Sequence, residues 1–241
     1  MTDLLSLNVD GLTPSKFAEP DRPRDVADVL AEAAAHGDAV APIGGATSLG
    51  LGNIPERLDV GLSTSLLRGI IDYQPTDLTL SVAAGSSFAD VQAVLAEHGQ
   101  WLPIEVPYPE RATIGGLVAT AIAGPRRYGS GSLRDLLIGI SAAHPSGTVT
   151  KAGGLVVKNV TGFDLMRLYL GSLGTLGIVV SANFKVLPLP RHEATLHAIY
   201  PDLSPALDAA NRLRTSRVQP VSLEVARADT DSWLWPELPG R

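Results

Sequence analysis

The feature that most constrains this chain is the stretch PIGGATSLG at residues 42–50. It follows an apolar run, AVAPI, that reads as a short strand. It carries glycine at 44, 45 and 50, hydroxyls at Thr47 and Ser48, and no charge. Paired glycines remove the Cβ atoms that would block close approach to the backbone. Successive N–H groups can then face one concavity, and such a nest holds phosphate oxygens. Two familiar phosphate patterns fail here. The P-loop needs Gly-Lys-[Ser/Thr], and Lys16 is the one lysine before position 151. The pattern G-x-G-x-x-G fails because Gly50-x-Gly52 meets Pro55 where the third glycine belongs. A nest without lysine suits the pyrophosphate of a bound dinucleotide better than a transferable γ-phosphate. An ordinary strand-to-turn loop is the alternative.

Two further glycine clusters share the pattern. TIGG (113–116) opens a small-residue helix, so its first N–H groups are expected to be orphaned and to point outward. GSLGTLGIV (171–179) spaces Gly171, Gly174 and Gly177 three apart before a β-branched strand. Around them, Val26, Val29, Leu30 and Ala33 mark one face of a helix with Pro23 at its start and Gly37 at its end. Strands are predicted at 58–63 and on both sides of a Pro75-Thr76-Asp77 turn. Ser87 caps a helix closed by Gly99. A strand pair turns at Pro-Ser-Gly-Thr (145–148). Helix 161–174 and strand 175–190 follow, ended by two prolines. After Pro190 the pattern restarts as strand (193–201), helix (204–216) and strand (220–227). The expected class is α+β, with a domain over 1–190 and the start of a second over 191–241.

The net charge of −6 without a basic stripe argues against nucleic acid. With no cysteine, thiolate metal sites and cysteine-linked cofactors are excluded. His36, His98, His144, His192 and His197 have no ligand spacing, so no metal is expected. His36 and His98 fall at helix C-termini, and His144 precedes a turn as a solvated residue. Asp164 reads as a helix N-cap, and Lys158 as facing a cofactor or solvent. Arg126 and Arg127 could bring positive charge to an anionic group or form a surface turn. The N-terminus lacks the pattern of a signal peptide and no apolar run is long enough to span a membrane, so a cytoplasmic location is expected, with attachment to the inner face of the membrane through a complex left open.

PIGGATSLG, TIGGLVATAIAG, RRYGS, KNVTGFDL with GSLGTLGI, and the closing KVLPLP follow one another as in a known family. The chain resembles the FAD-binding domain of vanillyl-alcohol oxidase (PCMH-type) flavoproteins, and most of all the FAD-binding small subunits of glycolate oxidases. That resemblance implies a two-lobed FAD cradle. Pro42, Ile43, Gly44, Gly45, Ala46, Thr47, Ser48 and Gly50 would hold the pyrophosphate, completed by Thr113, Ile114, Gly115 and Gly116. Gly124, Arg127, Tyr128 and Gly129 would approach the ribityl chain or the flavin ring, and Gly177, Ile178 and Val179 the adenine side.

The sequence departs from the family at several places. Ala46 replaces a frequent glycine, and T-A-I-A-G (120–124) replaces T-N-A-S-G. No histidine in the first loop and no cysteine anywhere can link the flavin, so FAD is expected to be non-covalent. Only about fifty residues follow position 190, where the family carries a substrate cap, and Trp233 and Trp235 have no role there. The implied function is flavin-mediated oxidation of a 2-hydroxy acid such as glycolate, in a complex with other subunits. The alternatives are a non-catalytic assembly or electron-relay subunit, or another PCMH-type flavin oxidoreductase. The catalytic residues are left unassigned.

Overall fold

A computed structural model describes residues 8–155 and 164–226. Lys158, most of the KNVTGFDL motif, Trp233 and Trp235 lie outside the described residues. The first sheet is parallel: β1 (Lys16–Ala18), β3 (Val60–Ser63) and β2 (Val40–Ile43) in the order β1-β3-β2. Parallel strands need a crossover, and α1 (Pro23–His36) supplies it between β1 and β2. Val26, Ala27, Leu30 and Ala33 form its buried face, and Gly37 ends it in the left-handed conformation at φ 70°.

The second sheet is antiparallel, with β4 (Ile70–Gln74), β5 (Thr79–Ala83), β7 (Leu137–Ala143), β8 (Val149–Gly153) and β9 (Ile178–Lys185) in the order β4-β5-β9-β7-β8. One face packs against α2 (Phe88–Ala96) and α3 (Ile114–Thr120), burying Leu80, Val82, Val91, Leu117, Val179 and Phe184 together. The other face meets α1 and β3, where Ala143, Ile178 and Val180 are buried with Leu62 of β3. A two-stranded ribbon pairs β6 (Gln100–Trp101) with β10 (Leu187–Pro188). The remaining helices are α4 (Arg127–Ser130), α5 (Leu133–Leu136), α6 (Leu165–Tyr169) and α7 (Leu203–Arg214).

The mixed architecture meets the α+β expectation, and most predicted elements form. β1, β6, α4 and α5 are additions, each too short to show a period in sequence, and the strand predicted over 175–190 forms as β9 and β10. Two predicted strands are corrected. Residues 193–200 and 220–226 join no sheet among the described residues, and 193–200 are exposed throughout. Alternation marks a strand only where a neighbouring strand accepts its hydrogen bonds, and none lies beside these segments.

Candidate functional site

A cavity of about 670 Å³ opens where the two sheets meet. Its first wall is the end of β2. Ile43 is buried, and its carbonyl accepts from Thr64 N–H at 2.8 Å, closing the parallel pairing. The chain then leaves the sheet through Gly44 and Gly45. A Cβ on Gly44 would stand 2.2 Å from Thr113 Oγ1, and one on Gly45 only 1.6 Å from the Arg111 carbonyl oxygen. The two glycines let the loop lie directly on residues 111–113. Ala46 takes φ 54°, the left-handed region, which is why a glycine suits that position. Among the described residues, the backbone N–H groups of Gly45, Ala46, Thr47 and Ser48 meet no acceptor. The four residues that carry these donors are half-buried and line the cavity.

The opposite wall is the start of α3, where the structure corrects an expectation. Its first donors are not orphaned. Ile114 N–H donates to Ser86 O at 3.0 Å and Gly115 N–H to Ala84 O at 2.7 Å. Gly116 N–H donates to Thr113 Oγ1 at 3.3 Å, the N-cap bond. The N-terminus of α3 is stitched to the β5–α2 connection, and its flank meets the cavity through Gly116, Leu117 and Thr120. Thr113 and Gly115 also line it, whereas Ile114 is buried away from it.

The third cluster closes the space. Gly171 and Leu173 N–H groups donate to Val118 and Ala119 carbonyls at 3.0 and 2.8 Å, docking the segment on α3. A Cβ on Gly174 would come within 2.5 Å of Pro42 Cγ, so this glycine lets the third cluster touch the first loop. Gly174, Thr175, Ile178 and Val179 line the cavity; Gly177 stands just behind, where a Cβ would lie 2.9 Å from Ala143 O. Gly50 also falls outside the lining, although Leu49, Leu51 and Gly52 are in it.

The RRYG corner is not brought to this cavity. A Cβ on Gly124 would strike the Glu105 side chain at 2.5 Å. Arg127 and Tyr128 are exposed, and Gly129 N–H donates to Val221 O at 3.1 Å. Arg126 is only 19% exposed: its Nε lies 3.3 Å from Glu105 Oε1, Glu193 pairs with its far nitrogen, and its guanidinium lies 5.2 Å from the Trp101 ring centre. With two carboxylates on it, Arg126 offers no free charge.

The histidines also stand apart from the lining. His36 bonds through Nδ1 to Glu32 O at 2.9 Å, and His98 meets Tyr73 edge-on at 5.2 Å. Burial pushes the Tyr73 phenol above its usual range. His144 is not simply solvated: its Nε2 lies 2.8 Å from Thr150 Oγ1 and 3.1 Å from the buried Tyr169 hydroxyl. His192 and His197 are exposed. Asp164 sits at the N-cap of α6 but makes no side-chain cap bond and pairs with Arg167 instead.

Among the described lining residues the one ionisable side chain is Asp10. It comes from the 8–12 turn, closed by Val9 and Leu12 exchanging backbone bonds at 2.9 Å. Val9, Asp10, Asn53, Thr64, Val106 and Pro107 also line the cavity, without any sequence signal. Thr120 did carry one, lying one helical turn beyond Gly116. The arrangement suits a long ligand with an anionic middle and apolar ends. Free N–H groups stand ready at the first loop, while Leu117, Ile122, Val106, Ile178 and Val179 provide apolar wall.

Residues 14–153 match the family model described as FAD binding domain. The glycolate oxidase subunit GlcE of Escherichia coli (strain K12) is 39% identical over 174 residues, 72% of this chain and 48% of that protein. The glycolate oxidase subunit GlcD of Bacillus subtilis (strain 168) is 28% identical over 211 residues, covering 88% and 45%. A mitochondrial D-lactate dehydrogenase [cytochrome] of Arabidopsis thaliana is 27% identical over 212 residues, covering 88% and 37%. The chain thus spans about half or less of the length of these curated relatives. A solved alkyldihydroxyacetonephosphate synthase superposes with a TM-score of 0.68 at 23% identity, over 86% of this chain and 38% of that one, which establishes the shared fold. With more than half of its length matched, the chain belongs to the FAD-binding domain family, and FAD is its cofactor.

Proposed function

We propose that this chain is the FAD-binding part of a 2-hydroxy-acid oxidase complex, glycolate being the first substrate to test, and that it holds FAD without a covalent bond. The observation that carries this reading is the row of unpartnered N–H donors from Gly45 to Ser48 beside an otherwise apolar cavity. These donors would hold the pyrophosphate, helped by the Thr47 and Ser48 hydroxyls. Ile178 and Val179 would flank the adenine end. Gly116 and Leu117 would form the facing wall, with Thr113 holding that wall in place. The RRYG corner would support the segment around Val221 rather than contact the flavin.

When bound, FAD would supply the two-electron redox chemistry of such an oxidation. The chain's own groups bind it, orient it and keep water from its apolar parts. A 2-hydroxy acid also needs a cation for its carboxylate and a base within hydrogen-bond reach of its hydroxyl. Among the described lining residues there is no cation, and Asp10 is the one acid. That observation favours a substrate site completed by groups outside those described, from a partner subunit or the rest of a longer chain. It equally supports the second reading, a subunit that binds FAD for assembly or electron relay. No helix among the described residues is long and apolar enough to cross a membrane. Contact with the inner face of a membrane through other subunits of the complex is part of this proposal.

Two measurements test this. Acid precipitation should release the yellow colour into the supernatant; flavin in the pellet would overturn non-covalent binding. The FAD-saturated chain should reduce dye with glycolate or D-lactate only when partner subunits are added. Turnover near the ~10 s⁻¹ typical of enzymes by the chain alone would place a complete substrate site within it.

A further inference from the structure

A second cavity, about 500 Å³, lies away from the first, on the part of the five-stranded sheet that α1 leaves open. Its floor is two rungs of side chains on one sheet face. Ser81 pairs with Asn183, which pairs with Gly139, which pairs with Gly153. Ala83 pairs with Ser181, Ser181 with Ser141, and Ser141 with Lys151. The rungs stand two residues apart on each strand, so their side chains share a face. A Cβ on Gly139 would lie 2.6 Å from Asn183 Nδ2, so the glycine lets the amide lie across β7.

This floor is polar where a sheet packed on a helix would be apolar. Ser81 and Ser141 are only 7% and 9% exposed as residues, and their hydroxyls open to the cavity without a hydrogen-bond partner among the described residues. With the Ser181 hydroxyl and the Asn183 amide they leave four polar groups on the floor for a bound molecule or water to pair with. Arg68 and Lys151 stand at the rim, both exposed. Among the described residues the one rim carboxylate, Asp21, lies 3.8 Å from the Arg22 guanidinium and is offset by it.

We propose that this cavity binds a small polyhydroxylated anion, a phosphorylated or carboxylated metabolite. Its hydroxyls would lie on the Ser81, Ser141, Ser181 and Asn183 floor, and its charge would meet Lys151 and Arg68. Hydroxyls and an amide both donate and accept, which matches sugar-like hydroxyls, while the cations match phosphate or carboxylate. The volume falls within the range of small-molecule sites.

The test uses the FAD-loaded chain labelled with ¹⁵N and titrated with glycerol 3-phosphate, with inorganic phosphate and glycerol as the two halves of that probe. Amide shifts should saturate at Ser81, Ser141, Lys151 and Asn183 with glycerol 3-phosphate. Phosphate alone should bind more weakly, and glycerol should leave the spectrum unmoved. Ser141→Ala and Lys151→Ala should each weaken binding about tenfold or more. Both should leave the melting temperature and flavin content at wild-type values, which separates lost binding from lost folding. No saturable shift on the floor, shifts that survive both substitutions, or equal shifts with glycerol would overturn the proposal.

Discussion

The first loop and the start of α3 are alike in composition and opposite in use. Both are glycine-rich, uncharged and lined up on the same cavity. At the first loop Gly44 packs on the Thr113 side chain and Gly45 on the Arg111 carbonyl, and the donors from Gly45 through Ser48 have no partner among the described residues. At α3 the donors of Ile114, Gly115 and Gly116 are taken by Ser86, Ala84 and Thr113. Composition tells where a backbone can bend sharply. Which way its N–H groups face depends on whether a carbonyl from another segment arrives first.

The largest expected effect is at Gly45. A side chain there points at the Arg111 carbonyl, not into the space for a ligand. Gly45→Ala should therefore lower stability by about 3 kcal/mol or more, the upper end for overpacking against rigid backbone. Flavin retention should fall with it, read as the ratio of visible to ultraviolet absorbance beside a thermal melt. A variant that loses flavin at unchanged stability would return Gly45 to the ligand side.

The neighbouring glycines of α3 divide the comparison more finely. A Cβ at Gly115 would stand 2.9 Å from Ala84 Cβ, while one at Gly116 would meet only Thr113 Oγ1, at 3.2 Å. Gly115→Ala should destabilise even the flavin-free protein by about 1–3 kcal/mol. Gly116→Ala should hold or raise apo stability, by up to ~1 kcal/mol from helix propensity, and still weaken FAD binding. Equal FAD affinity in Gly116→Ala and wild type would remove Gly116 from the site.

Two caps give the smaller effects. Thr113→Val removes the acceptor for Gly116 N–H and should cost about 1 kcal/mol, restored by Thr113→Ser. At α5, Asp135 and Ser132 form a reciprocal cap, and bonds from the Ser132 backbone and hydroxyl hold the Asp135 carboxyl below its usual range. Its folded value is lower than its unfolded one, so its contribution is present above the ordinary carboxylate range and fades as pH falls through the lowered value. The melting temperatures of wild type and Asp135→Asn should therefore converge in acid, while the Thr113→Val difference stays constant. A gap at Asp135 that persists below its titration would contradict this.

Much of this was legible in the chain. The helix at 23–36, the 75–77 turn and the 137–153 hairpin follow from period, proline and glycine placement, because those preferences act locally. The meeting of the three glycine clusters was legible too, through the family resemblance. The free direction of the α3 donors was misread because Ser86 and Ala84 lie about thirty residues away and carry no mark of it. The strands expected after 190 fail for a similar reason: alternation is local, but a pairing partner is not. Val9 and Asp10 reach the cavity through a short turn without periodicity.

The position of β9 has a consequence for synthesis. It lies between β5 and β7, so the hairpins β4–β5 and β7–β8 are joined in the sheet only through it. Its residues leave the ribosome last among the five strands, and after the family match has ended at residue 153. Until then the growing chain holds two ribbons with exposed edges, the state most open to aggregation and to chaperones. Non-local pairing of this kind also slows folding, since the long loop must close before the strand is rewarded by its neighbours. A gene cut at residue 153 would encode both sides of the sheet and omit the strand that makes them one; a gene cut after Lys185 would supply it.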